Sequence, residues 1–166
     1  MATLIKGRRV IENRPSPKEK VLRLEPTADP ASVPLEGVSR IEAGDAVVIR
    51  TGWHKLAEDP ATYDRYLAAE PGIYVREAKY LADHRPVLIA SDTFGLEVLG
   101  RTDLGPDAFP VHQWLLVREG VRIGEGVISD SLSDNGVYEF VYAYSPQYAL
   151  GATAGNTPPV GLARGS

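Results

Sequence analysis

Residues 44–53 read Gly44-Asp45-Ala46-Val47-Val48-Ile49-Arg50-Thr51-Gly52-Trp53, and this stretch decides the fold. Gly44 and Asp45 close a turn, and Ala46 to Arg50 is a β-branched, strand-length run that reads as buried. Downstream, Pro71-Gly72 opens a helix whose apolar positions Tyr74, Val75, Ala78, Leu81 and Ala82 keep the three-to-four spacing of one buried face. Pro86 stops that helix, and Val87 to Ser91 is a second buried strand. Strand, helix and strand in succession are the grammar of an α/β fold.

Outward from this unit the pattern continues, then weakens. A glycine-rich loop runs from Gly95 to Phe109, and Val111 to Glu119 forms a short helix with Gly120 placed to cap it. Val121 to Val127 reads as a strand interrupted by Gly124 and Gly126, and Asp134-Asn135-Gly136 is a turn. Val137 to Tyr144 carries apolar bulk on both faces and is expected to be a central strand. Upstream, Leu4-Ile5 and Arg9-Val10-Ile11 suggest one short strand around Gly7. Asn13 to Lys20 reads as loop, Val21 to Leu24 as a brief strand, and residues 25–45 as mostly irregular connection. The chain thus divides into an irregular N-terminal segment with short strands (1–45) and a folded domain (46–166).

Bulk composition narrows the function. A length of 166 residues suits a single domain, and 43% hydrophobic with 24% charged residues is ordinary for a soluble globular chain. A net charge of −4 without a basic cluster argues against nucleic acid, whose phosphates need a concentrated Lys/Arg face. The longest apolar runs are too short to span a bilayer, and the first twenty residues lack a signal-peptide pattern, so a cytoplasmic protein without a membrane partner is expected. Cysteine is absent, which removes thiol nucleophiles, thiolate metal sites and disulfides. No dinucleotide fingerprint, Walker loop or G-x-S-x-G elbow occurs.

The three histidines therefore carry the candidate chemistry. His54 follows Trp53 at a strand end, where side chains often line clefts, although an exposed loop histidine is the ordinary account. His84, at the end of the helix, suits a C-terminal cap. His112 lies in Phe109-Pro110-Val111-His112-Gln113, at the first turn of an apolar helix, and Glu125 lies further on within an apolar strand flanked by glycines. A carboxylate buried there needs a partner. A hydrogen-bonded core pair answers that need, and so does a metal site beginning with one histidine and one carboxylate.

Taken in order, Gly44 to Trp53, Pro71-Gly72, Ser91-Asp92-Thr93, Phe109 to Gln113 and Gly120-Val121-Arg122-Ile123-Gly124-Glu125 resemble the cyclase family of metal-dependent hydrolases. That family includes kynurenine formamidases and isatin hydrolases, and the resemblance extends over roughly residues 40–163. It implies a β-rich α/β fold with mixed sheets, of the swivelling β/β/α kind, usually oligomeric. It also implies Zn²⁺ or Mn²⁺ and hydrolysis of an amide or lactone bond in a small-molecule substrate. The family's histidine and glutamate metal ligands match His112 and Glu125, and Trp53 and Asp92 fall near its pocket. The family's H-x-G-T-H-x-D-x-P-x-H motif, expected ahead of residues 44–53, is absent, and no histidine precedes His54. The chain therefore reads as this fold with its N-terminal part missing, carrying half of a metal site. The competing expectation is a non-catalytic ligand-binding or assembly protein that keeps the fold.

Overall fold

The computed structural model describes residues 3–5, 9–12, 41–100 and 109–163. It is a three-layer α/β arrangement. A parallel sheet is ordered β2 (Arg9–Glu12), β3 (Ala46–Arg50), β4 (Leu88–Ser91) and β5 (Arg122–Gly124). A second, antiparallel sheet holds β1 (Thr3–Ile5), β6 (Val141–Tyr144) and β7 (Val160–Leu162); β6 is central as expected, but it covers only the second half of the strand expected over Val137–Tyr144. The helices are α1 (Lys55–Glu58), α2 (Tyr63–Ala68), α3 (Val75–Asp83), α4 (Pro110–His112) and α5 (Asp130–Asp134). α4 runs on into a π-helical segment, Gln113–Glu119. No helix among the described residues is long and apolar enough to cross a membrane.

The alternation of side chains across β3 and β4 explains why both strands read as continuously apolar. Val47, Ile49 and Ile89 pack against the helical layer, with Ala78, Leu81, Ala82, Val111 and Leu115. Ala46, Val48, Leu88 and Ala90 point the other way, onto Phe140 and Tyr142 of the second sheet segment. Polar residues on either face would be stranded between layers. Each of these larger side chains contributes roughly 1.5–3 kcal/mol by leaving water.

α3 is shorter than the periodicity suggests. Its N-cap is Tyr74, with a capping box in which Glu77 Oε2 accepts the Tyr74 N–H at 3.0 Å. Pro71 and Gly72 stay extended because residues 70–73 pair with 96–99, through Ile73 N–H to Leu96 O at 3.1 Å and Leu99 N–H to Glu70 O at 3.2 Å. The helix ends at Asp83, where His84 supplies the C-cap and its Nδ1 meets the Tyr80 carbonyl at 2.9 Å.

Two expectations are corrected. The single strand around Gly7 is instead two strands that enter different sheets, β1 beside β6 and β2 beside β3. The strand expected over Val121–Val127 stops at Gly124, because Gly126 N–H turns back to Thr93 O and Val127 N–H to Ser91 O, each at 2.9 Å. The expected strand over Val21–Leu24, the irregular stretch 25–40 and the part of the glycine-rich loop at 101–108 lie outside the described residues.

Gly72 is where the α3 approach and the Leu96–Glu97 segment touch. A Cβ there would stand 2.4 Å from both Leu96 O and the Glu97 carbonyl carbon. Backbone cannot yield as a side chain can, so Gly72→Ala is expected to destabilise the protein by about 1–3 kcal/mol. Urea unfolding checks this, and an unchanged midpoint would contradict the tight approach.

Candidate functional site

The carboxyl ends of β3, β4 and β5 converge on one edge of the parallel sheet, the place where open α/β sheets bind ligands. The residues beyond each strand end are polar there: Thr51-Gly52-Trp53-His54 after β3, Asp92-Thr93 after β4, and Glu125 after β5. The burial of several of these groups demands that their partners be found.

Asp92 has no exposed surface, yet its carboxylate is fully engaged. Oδ1 accepts the Thr51 N–H at 2.8 Å and the Thr51 hydroxyl at 2.6 Å; Oδ2 accepts the Gly52 N–H at 2.7 Å and faces His54 Nδ1 at 2.9 Å. A carboxylate can only accept, so Nδ1 carries the proton in that contact. Gly52 adopts φ +76°, a turn conformation that lets the β3 end fold around the carboxylate. The exposed loop position expected for His54 is corrected: the residue is 5% exposed, and Asp92 is the reason.

The second cluster is centred on His112. Glu97, 2% exposed, accepts the backbone N–H groups of Val111 and His112, both at 3.1 Å, and so caps the first turn of α4. The same carboxylate meets His112 Nδ1 at 2.6 Å, while Nε2 faces Glu125 Oε1 at 3.2 Å. Flanked by two acceptors, the imidazole keeps its proton. Its pKa rises from 6.5 to about 9, chiefly through the hydrogen bond to Glu125 and then that to Glu97. Sequence reasoning brings His112 and Glu125 together correctly in space, but it places Glu125 in a buried strand. The side chain is 44% exposed, because β5 has already ended.

Glu97 and Glu70 escape the sequence reading. Glu97 interrupts the apolar run Leu96 to Leu99, the same signal that singles out Glu125. Glu70 leaves no such trace. Its carboxylate accepts the N–H groups of Phe94 at 2.7 Å and Gly95 at 2.6 Å, fixing the loop that carries Glu97. Burial pushes the Glu70 pKa up, opposed by those backbone N–H groups and reinforced by the charges of Glu125 and Glu97. Tyr66, on α2, has its phenol pushed up first by burial and then by Glu70, Asp92, Tyr63 and Glu125. Trp53 lies beside it, with Nε1 donating to the Tyr66 carbonyl at 3.3 Å.

The His112 cluster has part of what a divalent ion needs. Two donors ~2.1 Å from a tetrahedral ion stand ~3.4 Å apart, and Nε2 and Glu125 Oε1 are 3.2 Å apart. Glu97 on Nδ1 is the carboxylate that commonly orients a metal-binding histidine. Imidazole with carboxylate suits Zn²⁺ or Mn²⁺. No group of three or more such donors occurs among the described residues, so the pair is a contribution to a site rather than a whole one.

Comparison with known proteins agrees with the resemblance drawn from the sequence. Residues 25–98 match the family described as putative cyclase. A solved structure of a novel cyclase is 31% identical, with a TM-score of 0.59 over 75% of this chain and 42% of its own. An isatin hydrolase bound to a product analogue is 22% identical, with a TM-score of 0.61 over 75% of this chain and 47% of its own. A potential metal-dependent hydrolase with cyclase activity is 18% identical, with a TM-score of 0.60 over 98% of this chain and 67% of its own. The chain thus spans less than half the length of the first two structures. None of the curated proteins matches its sequence.

The protonated His112 makes stability depend on pH in a definite direction. Its pKa is raised on folding, so its contribution is complete below about 6.5 and is lost as pH climbs through about 9. In metal-free protein, the urea midpoint is expected to fall across that window, and Glu97→Gln should flatten the fall. Histidine NMR titration checks the same point: a His112 titrating near 6.5 would contradict the carboxylate cage.

Proposed function

We propose, from the premise of a cyclase-family fold, that this chain serves a metal-dependent hydrolase acting on an amide or lactone bond, in the manner of a kynurenine formamidase. The observation that carries this reading is the His112 imidazole, held at Nδ1 by buried Glu97 and presenting Nε2 to Glu125 at a sheet's carboxyl edge. His112 and Glu125 would hold Zn²⁺ or Mn²⁺ together with donors outside the described residues. The chemistry a divalent ion supplies at such a site is acidification of water and polarisation of a carbonyl. Glu97 fixes which imidazole nitrogen faces the site, and Trp53 and Asp92 are assigned to the neighbouring substrate pocket. A small-molecule substrate, a homo-oligomeric state and a cytoplasmic setting complete the proposal.

A second reading has its own support. With no cluster of three or more donors among the described residues, a non-catalytic ligand-binding or assembly role for the same fold stands beside the first. Calorimetric titration with Zn²⁺ and Mn²⁺ separates the two. The hydrolase reading expects binding that His112→Ala abolishes and Glu125→Gln weakens by roughly 10-fold or more; absence of binding favours the scaffold. The purified chain alone is expected to turn over formamides and lactones only near background. Robust metal-dependent turnover would overturn the view that its own donors are incomplete.

A further inference from the structure

His54 is buried, and it spends only half of its hydrogen-bonding capacity on partners among the described residues. Nδ1 is bonded to Asp92, whereas Nε2 is buried with no hydrogen-bond partner among the described residues. Two carboxylates stand off from it: Asp130 Oδ2 is 3.5 Å away and Glu58 Oε1 3.8 Å. Asp130 is occupied by Arg50, whose Nε lies 2.5 Å from Oδ1, and Lys55 Nζ lies 3.6 Å from Oδ2. An unsatisfied buried nitrogen is a cost, so the favourable hydrogen bonding of this imidazole lies at Nδ1.

The role of Nδ1 is to complete the donor shell of Asp92. The other donors to that carboxylate, Thr51 and Gly52, are the residues that turn the chain at the end of β3 and aim Trp53. The Trp53 indole then donates to the Tyr66 carbonyl in α2. Just past α2, Glu70 grips the Phe94 and Gly95 N–H groups, and the same loop carries Glu97 to His112. Hydrogen bonds and short stretches of chain (66–70 and 95–97) therefore link the turn after β3 to the residue that orients His112.

We propose that His54 is a positioning residue, whose Nδ1–H bond to Asp92 seats Trp53 and α2 against the sheet edge where His112 and Glu125 meet. This rests on reading that pair as the site, although the seating of Trp53 can be tested without it.

The test uses Trp114→Phe as the parent, leaving Trp53 as the sole tryptophan. Into it go His54→Asn, whose amide N–H falls near the position of Nδ1, and His54→Gln, whose amide falls near Nε2. Iodide quenching and emission maximum report on Trp53, with far-UV circular dichroism on the fold. His54→Gln is expected to raise the quenching constant by about twofold and shift emission to the red, as local opening admits water. His54→Asn should restore the parent's values. If the two variants behave alike, whether both seat Trp53, both release it or both unfold, the proposal is overturned. Zn²⁺ titration of the parent judges the other premise separately: failure to bind removes the His112–Glu125 site and leaves the Trp53 comparison to decide the role of His54.

Discussion

An ionised carboxylate cannot remain in a dry interior unless donors surround it, and the working edge of this protein is built around that constraint. Asp92, Glu97 and Glu70 are 0%, 2% and 4% exposed, and each is met by backbone N–H groups. Those N–H groups belong to the three segments that must be shaped: the turn after β3, the first turn of α4, and the loop after β4. A carboxylate that collects donors from residues far apart in sequence fixes their relative positions more closely than apolar contact does, because hydrogen bonds are directional. Truncating any of the three would strand several donors at once, so the loss would spread through the edge.

That constraint also explains what is legible in the sequence. The sheet core is legible because its signal is local. Ala46–Ile49 and Leu88–Ala90 are short apolar runs followed by turn residues, and apolar layers pack against both faces of these positions. The α3 face is legible for the same reason, since Ala78, Leu81 and Ala82 repeat at helical spacing within nine residues. Its first turn is not, because the pairing of residues 70–73 with 96–99 holds Pro71 and Gly72 extended against their local tendency.

The candidate site is half legible. His112 and Glu125 stand thirteen residues apart, on α4 and just past the end of β5, and their types alone suggest chemistry. The partners that give them meaning are remote. Glu97 reaches His112 across fifteen residues, and Asp92 reaches His54 across thirty-eight, through a loop whose path no periodicity encodes. The split of Thr3–Ile5 and Arg9–Glu12 between two sheets is non-local in the same sense: two short strands close together in sequence are assigned by their partners, not by their own residues.

The two clusters share one motif and differ in exposure, and exposure separates their roles. In each, a buried carboxylate takes the Nδ1 side of a histidine. Around His54 the remaining nitrogen is buried, with Asp130 bonded to Arg50 through Oδ1 and 3.5 Å from the ring through Oδ2, which suits a structural role. Around His112 the remaining nitrogen faces Glu125, which is partly open to solvent and therefore accessible to an ion or a substrate. The same carboxylate–histidine pair thus has its second nitrogen enclosed in one cluster and turned toward a partly exposed carboxylate in the other. The end of β5 at Gly124 creates that difference, because it releases Glu125 from the sheet at the surface, beside the one ring nitrogen that Glu97 leaves free.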